Sequence, residues 1–365
     1  MKKLLSVIMT LALGIMLPVW SSAEEHNPSG ESKKINPQEI IFEHLMDAYG
    51  WEVPFCHSRR IPLPVIVRDN AGEWHVFSSA RLFDEHGHRV PYNGFYIAHE
   101  GSYANKLVGT DADGAEYRPL DLSVTKNVAG IIIAMLLTML LVLKVRCWYG
   151  KHGLKAPRKF TACLEFLVEF IYDGVIRPTL GDKARKFAPY LLTVFFLIFV
   201  MNLLGLIVIF PGGANLTGNI AVTMVLAVCT FLVTNVFGTK HYWKDLFWPE
   251  VPLWLKVPIP LMPIIEIFGA FTKPVALMVR LYANMLGGHM VVIVLTLLIF
   301  VFGAYGVAVA SGTAVVSVAF SLFMLLLDTL VSFIQAFVFT MLSTLFISLA
   351  QIGGHEHEHA EVAKS

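Results

Sequence analysis

Charge is scarce in this sequence. Asp, Glu, Lys and Arg make up only 15% of its 365 residues, against roughly 25% in a soluble globular chain. The 28 basic and 27 acidic groups nearly cancel, leaving a formal charge of +1. Nothing electrostatic therefore argues for nucleic-acid binding, and none is expected. Cysteine is sparse too. Cys56, Cys147, Cys163 and Cys229 show no CxxC spacing, which speaks against a disulfide framework and against metal or redox chemistry. They read as buried thiols acting as small hydrophobes. No GxxxxGK[ST] phosphate-binding loop occurs, so the chain itself is expected neither to bind nor to hydrolyse ATP. No cofactor and no catalytic site of its own are expected. An internal repeat of the kind secondary transporters usually carry is not visible either.

Apolar residues fill the space that charge leaves, at 56% of the chain. Several uninterrupted apolar runs exceed about 18 residues, the length that spans a bilayer. The expected fold class is an all-α polytopic membrane protein with about five membrane helices, two of them long and tilted. One surface amphipathic helix and a small β-rich extracytoplasmic N-terminal module complete it.

Residues 1–23 read as a secretory signal peptide: Lys2 and Lys3 begin it, an apolar segment follows, and Ser21-Ser22-Ala23 offers small residues for cleavage. An uncleaved first anchor is the alternative, and either places Glu24 onward outside the cytoplasm. Residues 24–125 are polar and rich in turn signals. A helical piece over 37–49 is expected to precede strands at Trp74-His75-Val76-Phe77 and Phe95-Tyr96-Ile97. Asp69-Asn70-Ala71-Gly72, Glu85-His86-Gly87 and Asp111-Ala112-Asp113-Gly114 read as turns. The last lacks the bidentate glutamate of a calcium loop, so turn chemistry is the better reading.

The first span is 128–145. Lys144, Arg146, Lys151, Lys155, Arg158 and Lys159 follow with no acid among them, which marks that connection as cytoplasmic. Residues 160–176 oppose Leu164, Leu167, Val168 and Ile171 to Glu165, Glu169 and Asp173, the pattern of a helix lying on the inner surface. Spans at 187–210 and 220–237 flank the uncharged outer turn Pro211-Gly212-Gly213-Ala214-Asn215, and Lys240, Lys244 and Lys256 mark the inside again. Two stretches of about 45 residues, 257–302 and 304–350, come last. Each is roughly 65–70 Å if helical, far more than a hydrocarbon core of about 30 Å, so each must be strongly tilted or broken. The tail His355-Glu356-His357-Glu358-His359 is cytoplasmic by parity and reads as a solvated terminus rather than a metal site.

Polar residues in the two long stretches form a pattern. Arg280 carries a charge that is never lost, at an insertion cost of roughly 2.5–3.5 kcal/mol at mid-membrane. Lys273 lies seven residues before it and Asn284 four after, near one helical face. Glu266 is about 40° off that face and about 21 Å along the axis. His289 points about 180° away, toward a neighbouring helix. Asp328, Ser332 and Gln335 share a face of the second stretch, which makes Asp328 a plausible neighbour of His289. Plainer readings stand beside each: a Glu266–Lys273 helix pair, a satisfied core histidine at His289, a helix–helix hydrogen bond at Gln335, and Asp328 as a static counter-ion. Five such residues spread along the membrane normal favour a proton relay, in which Arg280 is a fixed cation and not a carrier.

At these residues the chain resembles subunit a of the F-type ATP synthase, over about 126–352. The elements that carry the resemblance are Phe199-Val200-Met201-Asn202-Leu203-Leu204-Gly205-Leu206, Glu266, the run from Lys273-Pro274 to Arg280-Leu281-Tyr282-Ala283-Asn284-Met285-Leu286-Gly287-Gly288-His289, and Gln335-Ala336-Phe337-Val338-Phe339. The resemblance implies that Arg280 faces a rotating ring of c subunits, each with a carboxylate, and stops protons crossing directly between two offset half-channels. It implies that Glu266 lines the cytoplasmic half-channel, and that Asn284, His289, Asp328 and Gln335 belong to the outer one or its junction with the ring. In some relatives the position of His289 holds a glutamate and that of Asp328 a histidine, which keeps an acid and an imidazole together. The implied partners are the c-ring, the peripheral-stalk b subunits, the rest of the synthase and the lipid bilayer. A proton-coupled secondary transporter or channel is the alternative. The chain then divides into a signal peptide (1–23), an extracytoplasmic module (24–125), a membrane domain (126–350) and a cytoplasmic tail (351–365). The expected location is a bacterial inner membrane with the N-terminus outside. The signal peptide and the large module depart from the short N-terminus of the family, and a folded cap on the outer face is expected there.

Overall fold

The computed structural model describes residues 47–53, 56–70, 72–84, 89–98, 103, 105–110, 116–153, 155, 157, 160–207, 213–247, 261–303 and 307–352. The expected signal peptide, the turns at 85–87 and 111–114 and the His-rich tail lie outside them. The chain forms two bodies. The first draws on Met1–Ile133, Leu204–Asn215 and Gly287–Asp328, the second on Ala134–Leu203, Leu216–Leu286 and Thr329–Ser365.

The first body begins with a β module. Strands β1 (Gly50–Val53) and β2 (Cys56–Pro62) pair antiparallel. Strands β3 (Pro64–Arg68), β4 (Trp74–Ser78) and β8 (Leu120–Asp121) form a sheet in the order β4-β3-β8. A second sheet has the order β5-β6-β7, from Phe95–Ile97, Leu107–Thr110 and Glu116–Tyr117. The turn at 69–73 forms as its residues dictate: Gly72 N–H donates to Asp69 O at 3.1 Å, and Glu73 N–H donates to Asp69 Oδ1 at 2.9 Å. Alternation buries Val65, Val67 and Phe77 on one face, where they meet Leu82, Phe95, Ile97, Leu107 and Tyr49.

Tyr49 is the polar fixture of that core. Its hydroxyl donates to Asp121 Oδ2 and accepts from Leu107 N–H at 3.2 Å. Burial, then the hydrogen bond to Asp121, pushes the phenol above its usual range. Residues 47–49 of the expected helix over 37–49 are not helical, because Tyr49 belongs to the β core and leads straight into β1; residues 37–46 lie outside the described residues. Asp47 ties the module to the first span. Its Oδ1 accepts from Ala48 N–H at 3.0 Å and from Asn127 N–H at 3.1 Å, and Lys126 N–H donates to Ala48 O at 2.9 Å.

That span is helix α1 (Lys126–His152), which exposes Met135, Met139, Leu140 and Val142 as a lipid-facing helix does. Helix α2 (Phe160–Ile171) is amphipathic as expected, but it does not end as a separate surface element. It passes through a π turn (Tyr172–Ile176) into α3 (Arg177–Leu180). The break comes at Gly181, whose φ of +54° suits glycine, before α4 (Ala184–Leu206). Helix α5 (Ile220–Val236) is capped by Asn219, whose side chain accepts from Ala221 N–H at 3.0 Å.

Helices α7 (Leu261–Gly303) and α8 (Val307–Ile352) have 43 and 46 residues and are each helical throughout. At about 1.5 Å per residue they are roughly 65 and 69 Å long, so tilt, not a break, accommodates their length. Among the described residues, four helical stretches are long and apolar enough to cross a membrane, with the 17-residue Ile220–Val236 as a shorter fifth. The chain is a multi-pass membrane protein.

In the second body, the end of α8 is stitched to two earlier segments, one around Gly181 and one around Gly238. Ser348 Oγ donates to Thr179 O at 2.9 Å, Thr239 N–H to Ala350 O at 3.0 Å, and Lys183 Nζ to Gln351 O at 3.1 Å. Gln351 Nε2 donates to Phe237 O. These contacts satisfy carbonyls that a helix end leaves open. The thiols of Cys147, Cys163 and Cys229 are exposed, contrary to the expectation of burial. A small apolar sulfur suits a lipid-facing surface as well as a protein core.

Candidate functional site

In the second body, α7 buries Leu277 and Leu281 and turns Arg280 outward. Leu277 and Leu281 are one turn apart on the packed face, and Arg280 projects roughly 80° around the helix from their midline, to one side of that face. Arg280 is exposed, and no described residue of that body hydrogen-bonds or ion-pairs with it. Ala276 and Ala283 flank it, four residues before and three after, and both are exposed. Side chains that small let another helix come close to the guanidinium.

One turn on, Asn284 Nδ2 donates to Gln335 Oε1 at 3.4 Å. The contact joins α7 to the buried polar face of α8, which includes Ser332, Gln335, Thr340, Ser343 and Thr344. The structure thus brings Arg280, Asn284 and Gln335 into one neighbourhood. The hydroxyls of Thr340 and Ser343 are enclosed without a partner among the described residues.

Glu266 and Lys273 sit further back on α7, both exposed, and no ion pair joins them. Lys273 lies over the Phe346 ring at 5.7 Å and lines a cleft of about 30 Å³, room for a water or two. Thr230, Thr234 and Asn235 of α5 supply its other polar groups, with Tyr242 of the short helix α6 (Lys240–Phe247). Tyr242 donates to Asn235 Oδ1 at 3.2 Å. Burial, and after it the negative charge of Glu266, raises the Tyr242 phenol above its ordinary value, so Glu266 is within electrostatic reach. Sequence reasoning missed this cleft. Tyr242 and Asn235 are uncharged, and in the sequence Lys240 and Lys244 serve only to mark the cytoplasmic side.

The first body holds the other two candidates. The carboxylate of Asp328 lies against the α7 backbone at Gly288: a Cβ there would stand 2.8 Å from Oδ1 and 3.2 Å from Cγ. His289 follows in the chain, half-buried, with Nε2 enclosed and without a partner among the described residues. The sequence suggests Asp328 as a neighbour of His289; the approach seen is to Gly288, the residue before it.

Asn202, within the motif at 199–206, is buried and accepts from Thr217 Oγ1 at 2.6 Å. This pins the connection between α4 and α5. Its polarity alone did not reveal that it is a structural residue.

Comparison with known proteins bears on these residues directly. Residues 131–348 match the family described as ATP synthase A chain, and residues 40–122 match a domain of unknown function (DUF8433). The chain is 42% identical over 257 residues to ATP synthase subunit a 2 of Chlorobaculum tepidum, covering 68% of each chain. It is 35% identical over 372 residues to ATP synthase subunit a of Chlorobium phaeobacteroides strain BS1, covering 97% of this chain and 95% of the relative. To ATP synthase subunit a of Anaeromyxobacter sp. strain Fw109-5 it is 36% identical over 335 residues, covering 88% of this chain and 72% of the relative. The last two alignments are too long to be confined to the membrane part, so they extend into the residues before 126. With the family match spanning more than half of its length and carrying every candidate residue from Glu266 to Gln335, this chain belongs to the ATP synthase A chain family, subunit a of the F-type enzyme.

Proposed function

We infer that the chain serves the F-type ATP synthase membrane sector as its proton-translocating stator subunit. We propose further that Arg280 is a fixed cation between two offset half-channels that open toward a ring of c subunits. The observation that carries the proposal is the exposed Arg280, uncompensated within its own body and flanked by Ala276 and Ala283. A permanent charge in an apolar helix needs a counter-charge, and a ring carboxylate supplies one only while ionised. Arg280 would hold that carboxylate deprotonated as it passes and would bar a direct proton path. Lysine could give up its proton at such a site and arginine cannot.

On this reading Glu266 and the cleft of Lys273, Asn235 and Tyr242 feed the cytoplasmic side. Asn284, Gln335, His289 and Asp328 serve the outer side. The chain works beside b subunits in a bacterial inner membrane, N-terminus outside and C-terminus inside, with no catalytic site of its own; nucleotide chemistry belongs to other subunits.

The test is Arg280→Ala in membrane vesicles, with ATP-driven proton pumping and passive leak both measured. Pumping should be lost, and retained pumping refutes the mechanism. Glu266→Gln and Asp328→Asn should slow transport less completely; unchanged rates would remove them from the path. Co-purification with a small, very hydrophobic ring subunit separates this reading from a solute transporter.

A further inference from the structure

The β module carries a face that the conduction reading leaves unused. Alternation in the β4-β3-β8 sheet sends Val65, Val67 and Phe77 inward, exposed by 0, 0 and 8%. The other face turns outward Trp74, Val76, Leu120 and Leu122, exposed by 54, 70, 55 and 59%. They form rows across the sheet. Trp74 and Leu120 both pair with Arg68, Val76 pairs with Ile66, and Leu122 N–H donates to Ile66 O at 2.9 Å. So large a contiguous apolar surface is unusual on a part of a protein that meets only water.

We propose that this sheet face lies on the outer leaflet of the bilayer, at the boundary of headgroups and acyl chains. Three observations select lipid as its occupant. First, the face continues into the membrane surface of α1. Leu122 is four residues before Lys126, within about 13 Å at the rise of an extended chain. Val124 N–H donates to Pro64 O at 3.0 Å, and Asp47 accepts from Asn127 N–H at 3.1 Å. The sheet is thereby fixed to the start of a helix that exposes Val128 and Ile132.

Second, the composition is interfacial. Tryptophan sits beside aliphatic residues, and the Arg68 guanidinium lies 5.8 Å from the Trp74 ring. Tryptophan prefers headgroup depth, and arginine lays its stem along apolar surface while its head stays polar. Third, the face carries one cation, Arg68, and no carboxylate among Pro64, Ile66, Trp74, Val76, Ser78, Leu120 and Leu122. Phosphate headgroups complement that charge. On this reading the module is a lipid-seated foot that holds the outer end of α1 at a fixed depth. The inference does not depend on how protons move through α7 and α8.

The test uses the whole synthase reconstituted in vesicles of phosphatidylethanolamine and phosphatidylglycerol, with Cys56, Cys147, Cys163 and Cys229 replaced by Ser. A nitroxide is attached at Val76→Cys, and at Lys106→Cys as an exposed reference outside this sheet. Collision rates with oxygen, which concentrates in lipid, and with a water-soluble nickel chelate are measured at both sites. The expected result is an oxygen-to-nickel ratio several-fold higher at position 76 than at position 106. Equal ratios would mean that the face meets water, and shielding from both probes would mean that protein covers it; either overturns the proposal. Leu122→Cys gives a second reading of the same face should Val76→Cys fail to assemble.

Discussion

Gly288→Ala tests whether the position of the Asp328 carboxylate matters to transport. A Cβ at residue 288 would stand 2.8 Å from Asp328 Oδ1, where ordinary contact begins near 3.4 Å. The carboxylate must retreat by about 0.6 Å. Asp328 ends a short side chain that can rotate, so the effect on folding should sit at the low end of overpacking, about 1 kcal/mol. Transport should suffer more. A displacement approaching 1 Å of a group that must meet its partner at hydrogen-bond distance can reduce a rate by about 100-fold. We expect ATP-driven acidification of inverted vesicles to fall about tenfold or more, with the amount of assembled subunit unchanged. Passive proton conductance, measured after the peripheral catalytic sector is stripped away, should fall in parallel. The decisive arm is the double variant. With Asp328→Ala in place the new methyl group has nothing to displace, so adding Gly288→Ala should change neither rate further. Wild-type pumping by Gly288→Ala, or an equal loss in the Asp328→Ala background, would refute the reasoning.

Other outcomes follow from the same structure. Asp47 is held above its ordinary value of 3.8, burial outweighing its hydrogen bonds to Thr125, Asn127 and Ala48. Its raised folded value means that Asp47 favours the fold most at low pH, and that contribution is lost as pH rises through the folded pKa. Asp47→Asn keeps an acceptor for Asn127 N–H without the charge. It should match or exceed wild type in resistance of the module to proteolysis at neutral pH, an advantage that disappears on acidification. Asp47→Ala should instead lose about 1 kcal/mol, as a removed helix cap does, read as a lower unfolding temperature of the full chain. Thr217→Val leaves the buried Asn202 carbonyl without its 2.6 Å donor. It should cost about 1–3 kcal/mol, seen as lower subunit abundance in membranes, while Thr217→Ser restores it.

Much of this architecture was legible because hydropathy and alternation report burial directly. The spans at 128–145, 187–210 and 220–237 and the two long stretches appear within a few residues of α1, α4, α5, α7 and α8. Trp74 and Phe95 mark real strands for the same reason. What escaped depends on partners distant in sequence. Strands β1 and β2 contain Glu52, Arg59 and Arg60, and only their mutual pairing makes them strands. Helix α6 has too few apolar residues to announce itself. At the candidate site, helical spacing anticipated that Arg280 and Asn284 share a side. The approach of Asp328 to Gly288 could not be anticipated, since a missing Cβ is informative only once the facing side chain is known. The cysteines misled because thiols are usually buried, and a helix in lipid has no aqueous outside from which to hide them.

The stitching at 348–351 has a consequence for how the protein is made. Thr179, Lys183, Phe237 and Thr239 are synthesised and delivered to the membrane well before their partners on α8 exist. Until that helix is inserted, the connections around Gly181 and Gly238 must wait with polar groups unmatched. Their closure is therefore a late event in biogenesis and a natural point for quality control: a chain stalled just past α5 carries Thr179, Lys183 and Phe237 but none of their partners on α8.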